Sequence, residues 1–279
     1  MPFSKLKNLM ILILAALNVL LLCLVIPLVR ERHDQRELAA EQLEALFETY
    51  GVRLDGSSLP DDLLLYTLEF SPDSDAALPA MRALLGEAVY VQDDSTRYLS
   101  QYQSNQGRCQ LTRGGSLDAR LTGRVSKNDL AKATAVELEA MGVTAASISL
   151  PSRQSAGVYT VTAVQALLDV PVFSSTLEFT YDNGVLTRIE GTVFLDTSSL
   201  VRTDDISSIG CTDALVAFLA NRDSLGWVGS AVTEVAQGYF RAETASAAVV
   251  RLVPGWRIAT DTGAFWVNGI TREVLFLET

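Results

Sequence analysis

A chain of 279 residues that is 48% apolar and 20% charged, with 18 glycines and 8 prolines, is neither a disordered polymer nor a fibrous repeat. That length suffices for one or two domains whose cores need no disulfide or metal. A formal charge of −11, with 22 basic against 33 acidic residues and no basic run, excludes a nucleic-acid partner, whose phosphates require clustered Lys and Arg.

Lys5 and Lys7 precede an uncharged stretch from Leu9 to Val29, LMILILAALNVLLLCLVIPLV. At about 1.5 Å rise per residue it spans roughly 30 Å of hydrocarbon and predicts a transmembrane helix. A cleaved leader fits poorly, because the stretch outruns a usual leader core, Arg30-Glu31-Arg32 follows directly, and no small-x-small site is present. Lipid attachment fits no better, since Leu21-Leu22 precede Cys23. Positive charge is nearly balanced across the span, Lys5 and Lys7 against Arg30, Arg32 and Arg36, so the short tail 1–8 decides for a cytoplasmic N-terminus. The acidic remainder, poorly suited to an anionic leaflet, is expected outside the cytoplasm, giving a single-pass protein of the cell membrane in contact with the lipid bilayer. Asn18 lies mid-span, where an amide either finds a partner on another helix or bonds its own backbone, and Pro27 lies near the outer end, where a broken ladder costs least.

Residues 30–57 read as an amphipathic stalk. Ala39, Leu43, Leu46, Phe47 and Tyr50 recur at helical spacing, and Arg36, Glu37, Glu41, Glu44 and Glu48 fall on other faces. Gly51 ends the helix, and Ser57-Ser58-Leu59-Pro60 opens the folded part. Leu43, Leu46, Phe47 and Tyr50 form a candidate contact face for a partner, or for the chain's own domain.

Three modules follow, 58–125, 126–205 and 206–279, of which the second and third can equally form one domain. In the first, a strand at 63–70 and a helix at 75–85, with Pro79 in its first turn, precede strands near 87–92, 97–103, 106–112 and 116–122. In the second, Ser126 caps a helix that has Asp129 at its third position and closes at Gly142. Strands follow at 145–150, 157–168, 172–181 and 186–196. Asn183-Gly184, flanked by alternating apolar residues, predicts a two-residue hairpin of the primed type. In the third, Thr212 caps a helix carrying Leu215, Phe218 and Leu219 on one face and ending near Gly226, before strands at 231–243, 247–258, 264–267 and 273–277. Helices alternating with hairpin-linked strands imply an α+β fold with each helix across an antiparallel sheet.

Chemistry-bearing constellations are scarce. The single histidine, His33, lies just past the membrane span beside Arg32 and Asp34, which removes His-based triads and multi-histidine metal sites. Asp261-Thr262-Gly263 matches the short aspartic-protease motif but stands alone after Ala259-Thr260, as a polar turn between strands would. Asp61-Asp62, Asp93-Asp94 and Asp204-Asp205 lack the alternating spacing of a calcium loop, and suit solvated loops or helix N-termini. Gly114-Gly115 has no Gly-Lys-Ser ending and reads as a hairpin turn. Cys109 and Cys211, about a hundred residues apart, read better as two small buried residues than as a bridge, although pairing stays open. No catalytic, cofactor-binding or metal-ligating set emerges.

Three segments carry a resemblance. The opening Lys5-x-Lys7-Asn8 leads into ILILAALNVLLLCLVI, LFETYGVRLDGSSLP spans 46–60, and PGWRIATDTGAFWVNGITREVL spans 254–275. Together they resemble the YycI/YycH (WalI/WalH) family of membrane-anchored regulators of a two-component sensor histidine kinase in Gram-positive bacteria. The closing segment is also similar to PepSY-type modules. The resemblance implies an N-terminal transmembrane helix followed by extracytoplasmic modules of helices packed on antiparallel β-sheets, PepSY/YycI-like. It further implies no enzymatic activity and no cofactor, with the membrane helix and ectodomain contacting a membrane sensor histidine kinase and, in company, a paralogous YycH-like protein. Asn18 is then the candidate contact within the bilayer. The alternative is an exported PepSY-type binding module acting on a protease, a peptide or a cell-wall component.

Overall fold

The computed structural model describes residues 37–73, 75–87, 89–94, 98–125, 129–244, 246 and 248–277, together with Met10, Ile13, Leu14, Leu17 and Asn18. Most of the predicted membrane span, along with His33 and Ser126, lies outside the described residues. Among the described residues no helix is long and apolar enough to cross a membrane. The protein is α+β, with a large, mostly antiparallel sheet. Two compact units are distinguished, one comprising residues up to Leu59 with Gly229–Val232, the other Pro60–Val228 with Thr233–Thr279.

In the first unit, helix α1 (37–49) ends as its glycine demands. Gly51 adopts φ +70°, its N–H reaches the Glu48 carbonyl at 2.9 Å and the Val52 N–H reaches Phe47 at 3.0 Å. This closure satisfies the last carbonyls and brings buried Val52 toward buried Phe47. Arg53 then pairs in parallel with Ala231. Asp55 accepts the Ser57 N–H at 3.0 Å and so sets the 3₁₀ turn Gly56–Ser58.

The second unit begins with β1 (Tyr66–Phe70), a 3₁₀ turn at Asp75–Ala77 and α2 (Leu78–Leu85). An antiparallel run follows: β2 (Tyr90–Asp94), β3 (Leu99–Ser104), β4 (Gly107–Thr112) and β5 (Ser116–Val125). Then come α3 (Leu130–Ala140), β6 (Ala145–Ile148), β7 (Ser152–Ser155), β8 (Val158–Leu167), β9 (Val170–Asp182) and β10 (Val185–Thr192). The closing elements are β11 (Val201–Ser207), α4 (Cys211–Ala220), β12 (Val232–Ala242), β13 (Val250–Thr260), β14 (Gly263–Asn268) and β15 (Val274–Leu277). β10 returns to lie between β9 and β5, so β2 to β5 of the first sequence module join β8 to β10 of the second in one surface, β2-β3-β4-β5-β10-β9-β8, with β6 and β7 also on β8. α2 and α3 share one core against it. Met81, Leu84 and Leu85 meet Leu138 and Met141 over Tyr102, Ala119, Phe179, Tyr181 and Ile189. Each such side chain taken from water contributes roughly 1.5–3 kcal/mol. Thr134 and Tyr181 share a buried hydroxyl–hydroxyl bond of 2.8 Å that ties α3 to β9.

A second surface runs β11-β1-β13 and carries β12, β14 and β15. β13 pairs β1 up to Leu252 and β14 from Gly255, and Pro254, which has no N–H to give a ladder, stands at the change of partner. α4 lies on β13 and β14, where Phe218 packs on Trp227 (4.9 Å between ring centroids) and Phe265 (5.0 Å). A single parallel pairing, Tyr239 with Val172, connects β12 to β9.

Several local expectations differ in detail. Asp129 is itself the cap of α3, accepting the Lys132 N–H at 3.1 Å, and not a residue inside the first turn. α4 starts two residues earlier than a Thr212 cap requires. Gly210 is the N-cap, and the Cys211 N–H is taken at 2.7 Å by Asp62, a residue remote in sequence. β1 starts at Tyr66 rather than 63. β7 and β11 were not anticipated, because both are short and polar with no apolar alternation to reveal them.

Candidate interaction site

The apolar stalk residues separate into two groups. Leu43 and Phe47, one turn apart on the same row of α1, are 3% and 0% exposed. Leu46, about 100° round the helix from Phe47, is 36% exposed, and Tyr50, at the helix terminus, is 54% exposed. Glu37, Glu41, Glu44 and Glu48 are exposed. The expected single face is therefore an inward row, Leu43 with Phe47, and an exposed pair, Leu46 with Tyr50. Asn18 is exposed and its Nδ2 donates to the Leu14 carbonyl at 2.9 Å. One of the four hydrogen-bonding sites of the amide is thus met within its own helical turn, and Oδ1 points to no acceptor role among the described residues.

A solvent-open cleft of about 370 Å³ lies in the second unit, walled by Pro72, Ala77, Leu111, Val193 and Phe194 with Asp196 and Arg113 at its margin. Asp196 is buried, and both its oxygens are committed: Oδ2 accepts the Asp73 N–H and Oδ1 the Ser198 N–H, each at 2.9 Å. Burial alone would raise this carboxyl, yet these N–H donors hold it below the usual carboxylate range. Asp196 therefore holds two chain segments together. The Arg113 guanidinium lies over the Tyr98 ring at 5.4 Å. The cleft offers an apolar wall with one cation.

The remaining motifs resolve into backbone geometry. Asp261 and Thr262 form the two-residue tip between paired Thr260 and Gly263, Asp261 is exposed, and Thr262 Oγ1 accepts the Trp227 indole N–H at 2.8 Å. Gly115 has φ +89° and closes the Thr112–Ser116 turn, its N–H bonding the Thr112 carbonyl at 2.9 Å. Of the acidic pairs, Asp62 serves the start of α4, and Asp205 takes Arg202 at 2.8 Å while that guanidinium stacks 3.4 Å above the Tyr66 ring. Asp93 and Asp94 belong to β2. Among the described residues no group of three or more His, Cys, Asp or Glu is placed to hold a metal. Cys109 and Cys211 are both free and buried, and burial pushes each thiol up to about 12, so neither is a nucleophile at neutral pH.

Two buried glutamines had no signal in the sequence. The Gln165 amide docks on the main chain of Phe194 as a strand would, accepting its N–H at 3.0 Å and donating to its carbonyl at 2.8 Å. Gln237 does the same to Leu63, with bonds of 2.6 and 2.9 Å. Only a view of which backbone lies opposite could have found them.

No protein-family model matches the chain, and no curated protein matches it.

Proposed function

We propose that this chain is a non-enzymatic, membrane-anchored regulator that contacts a sensor histidine kinase through its apolar N-terminal segment and its extracytoplasmic part, and biases two-component signalling by contact. The observation that supports it best is the pairing of an uncharged 21-residue run, Leu9–Val29, with a following helix that keeps Leu46 and Tyr50 exposed. A span of that kind anchors, and an outward apolar pair beside it suits a helix of a membrane partner. The closing segment that carries the resemblance, PGWRIATDTGAFWVNGITREVL, runs from within β13 through β14 into the start of β15. Regulation by contact needs only different contact free energies with two kinase states. In this reading the N-terminus is cytoplasmic, the bulk of the chain is extracytoplasmic, and a paralogous YycH-like protein joins the complex.

Apolar helices gain nothing hydrophobically by leaving lipid for one another, so pairing in the bilayer depends on close packing and on hydrogen bonds, for which Asn18 retains capacity. An interhelical bond of this type is worth about 0.6–2 kcal/mol, a roughly three- to thirty-fold change in association. Asn18→Leu is expected to lower co-purification of the histidine kinase by that factor while membrane insertion and the melting curve stay unchanged. Failure of the unmodified chain to capture any histidine kinase would remove the proposal.

A further inference from the structure

We infer that the face of β3-β4-β5-β10-β9 turned away from α2 and α3 is a self-complementary interface for a second copy of this chain. Side chains alternate across these strands. Tyr102, Cys109, Ala119, Phe179 and Ile189 enter the core, so Gln101, Arg108, Gln110, Asp118, Arg120, Glu178, Arg188 and Glu190 share the opposite face. The register then makes two rows across the strands. In one, Arg108 stands opposite Arg120 and Arg120 opposite Arg188. In the other, two residues along each strand, Gln110 stands opposite Asp118, Asp118 opposite Glu190 and Glu190 opposite Glu178.

Like charges directly opposite one another weaken an antiparallel pair, and here cations and anions are each set against their own kind. Arg188 is satisfied within the chain, at 3.1 Å from Asp118 and 2.6 Å from Glu190, and its hydrogen bond holds the Asp118 carboxyl below the usual range. Arg108 and Arg120 are exposed and make no ion pair among the described residues. The face carries as many carboxylates as guanidiniums, so a polyanion that satisfied the arginine row would be repelled by the acidic row beside it. A partner with both signs in register is required.

A second copy supplies that pattern. Consider a two-fold axis in the plane of the interface, parallel to the rows and midway between them. It lays each arginine row over the other copy's acidic row and each strand over its own counterpart. Arg120 then faces Asp118, Arg188 faces Glu190 and Arg108 faces Gln110, and every contact occurs twice, as an isologous interface demands. The rotation reverses strand direction and keeps the strand axes aligned, as in face-to-face sheet packing. Five strands at about 4.8 Å and two residue rows at about 6.8 Å cover roughly 330 Å² per copy. The roughly 650 Å² total falls below that of stable specific interfaces and predicts a weak, transient, salt-sensitive dimer.

The test uses the full chain in neutral detergent micelles, with self-association read by energy transfer between two dye-labelled pools. Arg120→Glu and Asp118→Arg should each lower association at least ten-fold on their own, with unchanged far-ultraviolet circular dichroism. An equimolar mixture of the two should recover it, because the new carboxylate of one then faces the new guanidinium of the other. Contact between apolar N-terminal segments, or a merely structural role for these residues, predicts no such recovery. Should either reversal fail to fold, raising salt from about 50 to about 500 mM carries the test on the unmodified chain, with a loss of ten-fold or more expected. A monomeric unmodified chain at about 100 μM, a mixture that does not recover, or salt-independent association would each overturn the interface.

Discussion

Replacing Gln165 with Leu isolates what a buried amide contributes to this fold. The Gln165 Oε1 accepts the Ser175 hydroxyl at 2.6 Å and the Phe194 N–H at 3.0 Å, and Nε2 donates to the Phe194 carbonyl at 2.8 Å. Ser175 has a second acceptor, the Thr192 carbonyl at 3.1 Å, and survives the change. The Phe194 N–H and carbonyl lose their partner in a core that includes the Phe194 side chain, and stranded buried groups cost about 1–3 kcal/mol each. Leucine returns about 1–2 kcal/mol through its added apolar surface, leaving a net loss of about 0–5 kcal/mol, centred on about 2.5 kcal/mol. With a urea dependence of about 2–3 kcal/mol/M, the midpoint should fall by roughly 0.5–1.5 M, followed by the fluorescence of Trp227, Trp256 and Trp266. Gln165→Glu supplies an internal control. Its carboxylate would be buried against the Phe194 carbonyl, so its deficit should shrink as pH falls and the carboxyl protonates into a donor. A midpoint for Gln165→Leu within 0.2 M of the unmodified protein would mean that the amide carries none of this load.

Two further outcomes follow from backbone and charge geometry. The β8–β9 hairpin places Leu168 and Asp169 at φ +52° and +62°, where the β9–β10 hairpin has Asn183 and Gly184, so Leu168→Asn with Asp169→Gly should stabilise by about 1–2 kcal/mol. That corresponds to a melting temperature higher by about 2–6 °C in a thermal scan, and an unchanged or lower value would refute the strain. Burial disfavours charge on Asp196, but the Ser198 and Asp73 N–H groups depress its carboxyl, so its contribution is present above an unfolded pKa of about 3.9 and is lost as pH falls through the lower folded value. Asp196→Asn should be less stable by about 1–3 kcal/mol at pH 7, with the deficit shrinking as pH falls below about 3.9 and through the lower folded value; a deficit independent of pH would exclude this role.

Local chemistry was legible in the residues themselves. Gly51 and Gly142 were expected to end helices, and each adopts positive φ, at +70° and +72°, with the N–H one residue beyond it bonded back to Phe47 and Leu138, whereas α4 ends at Ala220 and Gly226, expected near its end, closes a separate turn at φ +62°. Asn183-Gly184 forms the primed turn, with φ of +50° and +78°, because only residues tolerant of the left-handed region fit there. Periodicity located α2, α3, α4 and the apolar strands to within a few residues, since burial of one face repeats at a fixed interval along the chain. What the tertiary structure alone decided is pairing at long range. β10 lies against β5, Asp62 takes the first N–H of α4, Gln165 and Gln237 stand in for strands, and three arginines fall opposite one another. Alternation states which face a strand residue occupies, but the partner across the gap depends on register between segments tens of residues apart. That register is set by packing of the whole core and by no local preference of the chain.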